Sequence, residues 1–404
     1  MKDKKIIGMF CLLTLLMVSP NISYGAEKSV AYLSLSDYTG PVAGIVTPGD
    51  MGAEDYFKYI NEKGGIRGVK IRYITVDTRY DVARAMSAYK RYHKTPRLLI
   101  TVANGTHIGK AIYPILERDK LIMSAPGDGE FVAKIGRTFI TGQCYQDTFG
   151  AALDWMVKDW QEKGNHGKPI VGYIGFDSAA GREPLRGGKE YAEKIGVKLL
   201  KPEFFPMGST DHTTYLTRLK SANYIYVEGA DPSHTNVIRD AYRMGMTKNV
   251  QFVCDVWGPT MGVGVKAHPK ELQRVVIVSY TLRGTDAHAH PLARMLWTKY
   301  RKKSISEMSP IYAAGLVMPM HFVAALEIAL KHVGYKNIDG EAIYQAYQKL
   351  TGKDTTEGIQ GPCTYSPTER RGSNQVRIYR IVDKKVVPIS GWLTAPDTVS
   401  LHKF

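Results

Sequence analysis

The sequence predicts an α/β protein made of two lobes, each with a parallel-sheet core. Three observations carry this. Short apolar strand-like runs alternate with helix-spaced segments along most of the chain, the order that produces parallel sheets flanked by helices. Runs such as residues 98–102 are apolar but for Thr101, as in strands buried on both faces. The β/α units in 404 residues also outnumber what one sheet holds comfortably.

The first residues stand apart from this pattern. Lys2, Lys4 and Lys5 precede an apolar run over residues 6–18, and Ser23-Tyr24-Gly25-Ala26 closes the segment with mostly small residues. This is the plan of a secretory signal peptide, so residues 1–26 are expected to be removed near Gly25 or Ala26 and the protein to work in the periplasm. The run is too short to span a bilayer comfortably. Cys11 lies inside it behind Met9 and Phe10, which is wrong for a lipid-acceptor cysteine. Removal leaves Cys144, Cys254 and Cys363, an odd number that allows one bridge and does not say which.

The remaining elements follow in order. Residues 30–36 read as a strand, 50–62 as a helix stopped by Gly64-Gly65, 69–76 as a strand and 83–93 as a helix. Strand 98–102, helix 107–118 and strand 121–123 complete the first run. A second run begins with helix 147–160 and strand 170–176. It continues through helix 183–195, strand 197–205, helix 213–220, strand 224–227, helix 233–244 and strands 250–254 and 275–280. Two longer helices, 291–301 and 310–333, precede a tail over 361–389 that alternates as antiparallel strands do.

Composition is that of a soluble globular protein, with 44% hydrophobic and 23% charged residues. The net charge is +16. Lys and Arg are scattered over nearly every predicted helix instead of gathered in a stripe with interleaved aromatics, so no nucleic-acid partner is expected.

In open parallel sheets, ligands sit at the carboxyl ends of the strands. Here those ends carry Ser34-Leu35-Ser36-Asp37-Tyr38, Ala103-Asn104-Gly105-Thr106, Ser124-Ala125-Pro126-Gly127-Asp128, Asp177-Ser178-Ala179-Ala180-Gly181 and Glu228-Gly229-Ala230-Asp231. Each turn alone is ordinary cap and turn chemistry. Their common placement makes them a candidate binding site for a small polar molecule.

The chain then resembles the solute-binding proteins of branched-chain amino acid type ABC importers, the type I periplasmic binding fold. The resemblance rests on Ser36-Asp37-Tyr38-Thr39-Gly40-Pro41 and on Ile60-Asn61-Glu62-Lys63-Gly64-Gly65-Ile66-Arg67-Gly68, the most specific stretch. Asp177-Ser178-Ala179-Ala180-Gly181-Arg182 and Ser209-Thr210-Asp211-His212 with Leu216, Leu219 and Lys220 add to it. It implies two Rossmann-like lobes joined by a three-crossing hinge, near residues 138–142, 278–281 and 361–364. The N-terminal lobe would then hold residues 27–140 and 281–362, and the C-terminal lobe 141–280 and 363–404. It implies a monomer that closes on a small molecule and docks on permease subunits at the membrane, with no cofactor and no reaction of its own.

The same resemblance places the ligand carboxylate at Thr106 and the Ala125-Pro126-Gly127 turn, and an ammonium group at Asp255 or, in competition, Glu228. Ser36 and Tyr38 belong to the first turn of the site. Positions often aromatic in leucine-type binders are small here, at Gly44, Ala180 and Ala230, while Tyr145 and Trp257 are additional aromatics. A wider pocket follows, suited to an amino acid, an aromatic acid or an amide-like compound.

Two rival readings come from other classes. A sensory module reporting occupancy to a receptor would share the fold. A periplasmic enzyme would need a positioned acid, base or nucleophile. The best metal-like spacing, Asp286-Ala287-His288-Ala289-His290, leads into Pro291 and reads more simply as a helix entry.

Overall fold

The computed structural model describes residues 27–259 and 264–403. The expected leader lies outside the described residues. The first lobe opens with β1 (Ser29–Ser36), α1 (Ala43–Glu62), β2 (Lys70–Asp77), α2 (Val82–Tyr92), β3 (Leu98–Ala103) and α3 (Thr106–Ile112). It continues with α4 (Leu116–Asp119), β4 (Ile122–Ala125), α5 (Gly129–Ala133) and β5 (Thr138–Ile140). The five strands form one parallel sheet in the order β2-β1-β3-β4-β5.

Burial on both faces explains why these strands read as continuous apolar runs. Along β1, Val30 and Tyr32 pack into the cluster that holds Tyr56 and Phe57 of α1. Ala31, Leu33 and Leu35 pack the other way, with Ala85, Ala88 and Tyr89 of α2 and Ile108 and Ile112 of α3.

The chain then passes to a second sheet through α6 (Tyr145–Glu162), β6 (Ile170–Phe176), α7 (Ala179–Arg182), α8 (Leu185–Lys194), β7 (Lys198–Leu199), β8 (Glu203–Phe205), α9 (Thr213–Arg218), β9 (Tyr224–Glu228), α10 (Ser233–Arg243), β10 (Gln251–Cys254), α11 (Gly264–Ala267) and β11 (Val276–Ser279). It returns to the first lobe as α12 (Gly284–Ala289), α13 (Pro291–Leu296), α14 (Pro310–Ala314), α15 (Val317–Val333) and α16 (Gly340–Tyr347), and ends in the hairpin of β12 (Gln375–Val382) and β13 (Lys385–Thr394). The second sheet runs β13-β12-β11-β10-β9-β6-β7, with β8 beside β6. Its core is parallel, and β12 and β13 add antiparallel at one edge.

Several boundaries differ from the sequence expectation for local reasons. Helix α1 begins at Ala43, before the expected residue 50, with Pro48 inside it. Asp37 brings this about by accepting from the backbone amides of Gly40 (2.5 Å) and Val42 (2.9 Å), which turns the chain early. The expected strand over 197–205 is two short strands, β7 and β8, with Pro202 between them. Proline has no amide hydrogen for a ladder bond. Helix α16 was not anticipated. Asp339 caps it by accepting from Ala342 N at 2.8 Å. The antiparallel tail starts only at Gln375, and its turn uses Asp383 and Lys384 at φ 47° and 65°. Just before it, the backbone of Arg371 pairs with Ile140 at the edge of the first sheet.

The run Pro310–Val333 is long and apolar enough to cross a membrane by composition. It is core material here, because Tyr312, Leu316, Phe322 and Leu326 belong to the buried cluster over the first sheet. Cys144, Cys254 and Cys363 are all buried free thiols, so the one possible bridge does not form.

Candidate functional site

The carboxyl ends of β3, β6, β9 and β10 converge on one cavity between the lobes. Its volume is about 1080 Å³ including the open mouth. From the first lobe the wall takes Asn104, Gly105 and Thr106 after β3, Pro126 after β4, and Val42, Ile45 and Val46 at the start of α1. The second lobe supplies Tyr145, Phe176, Ala180, Glu228, Ala230 and Trp257. The connecting passages add Thr141, Tyr280, Thr281 and Arg283. Most of this surface is aliphatic or aromatic, and a few polar groups punctuate it, the usual make-up of a small-molecule site.

Those polar groups are short of partners. Thr106 Oγ1, Glu228 Oε2, Tyr280 OH and Arg283 Nη1 are buried without a hydrogen bond among the described residues. A buried donor or acceptor left unpaired costs on the order of 1–3 kcal/mol, so four around one cavity is a feature that calls for a ligand.

The electrostatics divide into three parts. Asp50, on α1, is taken up by hydroxyls: Ser34 Oγ at 3.3 Å, Tyr38 OH at 2.9 Å, Tyr73 OH at 2.8 Å, and Ser36 Oγ all donate to it. Burial nonetheless holds its carboxyl above the usual range. Asp255, with no exposed surface, accepts from Trp257 N at 3.0 Å and lies 2.8 Å from His234 Nε2. Glu228 stands beside it. Burial first, then the Asp255 charge, raise the Glu228 carboxyl well above the ordinary carboxylate value. Arg283 donates through Nε to Ser279 Oγ at 3.2 Å and through Nη2 to the carbonyl of Val256. Burial lowers it to about 10, which leaves it a cation at neutral pH.

Of the residues singled out in the sequence, the structure brings Thr106, Tyr145, Ala180, Glu228 and Trp257 to the cavity wall. Trp257 Nε1 donates to Tyr145 OH at 3.2 Å, so these two aromatics stand as one unit. The other five lie behind the wall. Ser36 and Tyr38 are turned onto Asp50. Ala125 is buried, and its carbonyl accepts from Thr141 N at 3.1 Å. Gly127 is pressed against the backbone of Gln143, where an added Cβ would come within 2.6 Å of the carbonyl oxygen. Asp255 supports Glu228 from behind. Of the positions read as small, Ala180 and Ala230 line the cavity, whereas Gly44 is exposed.

Sequence reasoning passed over Arg283, Tyr80 and Tyr280. A signal for Arg283 existed: a lone arginine past an apolar strand, just after the stretch 278–281 expected to be a hinge crossing. The metal-like segment is otherwise engaged. It forms helix α12 instead of a loop, with His288 Nε2 2.7 Å from Met308 O, His290 Nε2 2.9 Å from Glu357 O, and Asp286 2.9 Å from Arg377. His290 does serve as a helix entry, since its Nδ1 accepts from Ala293 N at 3.4 Å. No cluster of three metal-ligating side chains exists among the described residues.

With this geometry in view, similarity to known proteins is informative. No curated protein sequence matches the chain. Among solved structures, a branched-chain amino acid ABC transporter protein from Thermus thermophilus with bound valine superposes with a TM-score of 0.82 at 17% identity, covering 93% of this chain and 99% of that one. A fatty acid ABC transporter substrate-binding protein from Thermomonospora curvata gives 0.76 at 18% identity, covering 92% and 94%. A solute-binding protein of an ABC transporter from Rhodopseudomonas palustris in complex with p-hydroxybenzoic acid gives 0.74 at 14% identity, covering 92% and 98%. At these identities the likeness establishes the fold: two α/β lobes of the type I periplasmic binding kind. Residues 34–385 match the family model described as periplasmic binding protein, most of the chain, and the protein is a member of that family.

Proposed function

We propose that this protein is exported, captures a small carboxylate-bearing or polar molecule between its lobes, and delivers it to the permease subunits of an ABC importer. The observation that carries the reading is the cavity itself. Apolar and aromatic walls surround the unpartnered atoms of Thr106, Glu228, Tyr280 and Arg283. Residues from both lobes and from the passages between them contribute, so a bound molecule would hold the lobes together.

The ligand classes that fit are amino acids, aromatic acids and amide-like compounds. Relatives of the same fold hold valine and p-hydroxybenzoic acid. In this reading the basic leader over residues 1–26 carries the protein out of the cytoplasm, and the mature chain acts as a monomer without catalysis or cofactor. Transport is favoured over receptor signalling because similar structures are described as ABC transporter components.

A thermal-shift screen of the purified mature protein against these solute classes tests the proposal. A true ligand raises the melting temperature with concentration. The same ligand should reduce the radius of gyration in solution scattering. Absence of any stabilising solute, together with an unchanged radius, would remove the proposal.

A further inference from the structure

We propose that Arg283 is the charge anchor of the site, and that the ligand is an apolar, preferably aromatic, acid lacking an amino group. This rests on the solute-capture reading above and narrows it.

The first support is the state of Arg283. Its side chain is almost wholly inside the protein, 4% exposed, in the cavity wall. Two of its nitrogens are committed, to Ser279 and to the Val256 carbonyl, and both partners are neutral. Among the described residues Nη1 has no partner, and no ion pair joins the guanidinium to a carboxylate. A desolvated cation without a direct ion pair is costly, the more distant Asp255 charge offsets only part of this, and a carboxylate brought into the cavity lowers the cost further. The planar fork of arginine suits a carboxylate better than any other group on this wall.

The second support is the lack of a seat for an ammonium group. Such a group needs an ionised carboxylate with free oxygens. Asp50 has its oxygens taken by four hydroxyls. Asp255 is set against His234 and the Trp257 amide. Asp255 Oδ2 is unpartnered as well, but Asp255 lies behind the wall. Of the two carboxylates that line the cavity, Asp50 and Glu228, only Glu228 has an oxygen without a partner among the described residues, and its place beside Asp255 favours the protonated form. A protonated Glu228 donates a hydrogen bond, to Asp255 or to a ligand oxygen such as a hydroxyl or carboxylate, and presents no charge of its own to an amine. An ammonium group would also share the cavity with the Arg283 cation.

The third support is the wall. Tyr80, Tyr145, Phe176, Trp257 and Tyr280 surround the space. Trp257 and Tyr145 are tied together, and the Arg283 guanidinium stands 5.8 Å from the Trp257 ring centre. A flat apolar body with an acid group at one end matches this arrangement.

Calorimetric titration of the mature protein with benzoate, 4-hydroxybenzoate, benzamide, L-phenylalanine and L-leucine provides the test. Wild-type protein should bind the acids, and benzamide and both amino acids about 100-fold more weakly. Arg283→Gln should weaken the acids by about 100-fold, the loss expected when a buried charge pair is broken, and change benzamide by less than about threefold. Arg283→Lys should recover part of the acid affinity. Should Arg283→Gln fail to fold, the wild-type ranking of benzoate against benzamide and the Arg283→Lys result still decide the matter. Equal affinity of Arg283→Gln and wild type for the acids overturns the anchor. Tighter binding of leucine or phenylalanine than of the acids overturns it too, while leaving solute capture intact. A protein that binds none of the five probes overturns the anchor, and the broader screen with scattering then judges solute capture separately.

Discussion

The ammonium of Lys110 on the first lobe stands 3.5 Å from the carboxylate of Glu183 on the second. The same ammonium is 3.4 Å from Asp128, which has no exposed surface, and 3.5 Å from Glu130. The other Glu183 oxygen accepts from the amide of Gly129 at 3.2 Å, back across the interface, and from Gln146 at 2.9 Å. One lysine thus neutralises carboxylates of both lobes at the rim of the cleft, where α3 meets α7.

Removing that lysine should loosen the lobe contact. Lys110→Met leaves Asp128 and Glu183 buried and facing each other, with only Arg186, 4.0 Å from Glu183, as a remaining cation. The expected loss is about 2 kcal/mol of stability at pH 7.5, and roughly half of that at pH 5, where Asp128 takes up a proton. Urea unfolding at the two pH values measures the difference. An equal loss at both would show that Lys110 acts through packing alone.

Asp128 predicts its own pH dependence. Burial, with the Glu183 charge second, pushes its carboxyl up to about 6. The native state therefore holds this proton more tightly than the unfolded chain does. Its contribution to stability is fully present below the unfolded value of about 3.8 and is lost as pH rises through about 6. Asp128→Asn keeps the side-chain oxygen that accepts from Glu130 N at 2.9 Å and cannot ionise. The variant should lack the decline of stability between pH 4.5 and pH 7 that Asp128 causes, on the order of 2 kcal/mol. Superimposable pH profiles of wild type and variant would contradict this.

His321 works in the opposite direction. It is 1% exposed on α15, near Gln360 and Thr355, and burial lowers it to about 4. The unfolded chain binds this proton more readily than the native state does. Stability from His321 is present above about 6.5 and falls as pH drops through about 4, by up to roughly 3 kcal/mol. Gln360 in turn donates to Thr141 O at 3.1 Å, so the effect reaches the passage between the lobes. His321→Gln should flatten the acid limb of the stability curve. A variant with the wild-type acid limb would assign that limb to other groups.

Close helix packing yields a steric prediction. A Cβ on Gly315 would come within 2.1 Å of the Gly49 carbonyl oxygen, and one on Gly52 within 2.3 Å of the Tyr312 carbonyl oxygen. Helix α1 and the α14 segment therefore touch backbone to backbone, and Gly49 and Gly315 themselves line the cavity. Gly52→Ala should cost about 1–3 kcal/mol in chemical denaturation, because rigid backbone has to move. A change below about 0.5 kcal/mol would show that the helices part without strain.

The site was legible in the sequence as far as strand ends allow. Glu228 ends β9, Thr106 and Ala180 lie shortly past β3 and β6, and parallel topology gathers such positions at one edge. Asp255 and Glu228 show the limit. Glu228 ends β9 and Asp255 follows the neighbouring β10, and which carboxylate faces the cavity depends on the register and exit angle of each. Ser36 and Tyr38 also sit at a strand end, but Asp50 of α1 claims them, and nothing local in the sequence pairs these segments.

The sequence by itself determined the alternation of strands and helices, the two-sheet architecture and the strand ends where a ligand could sit. These follow from periodicity and turn chemistry within a few residues. Tertiary structure alone decided that Arg283 enters the cavity without a direct ion pair among the described residues, that Asp255 stands behind Glu228, and that Lys110 joins the lobes. Each of these depends on segments far apart in the chain, and on which polar atoms remain unpaired once all others have found partners.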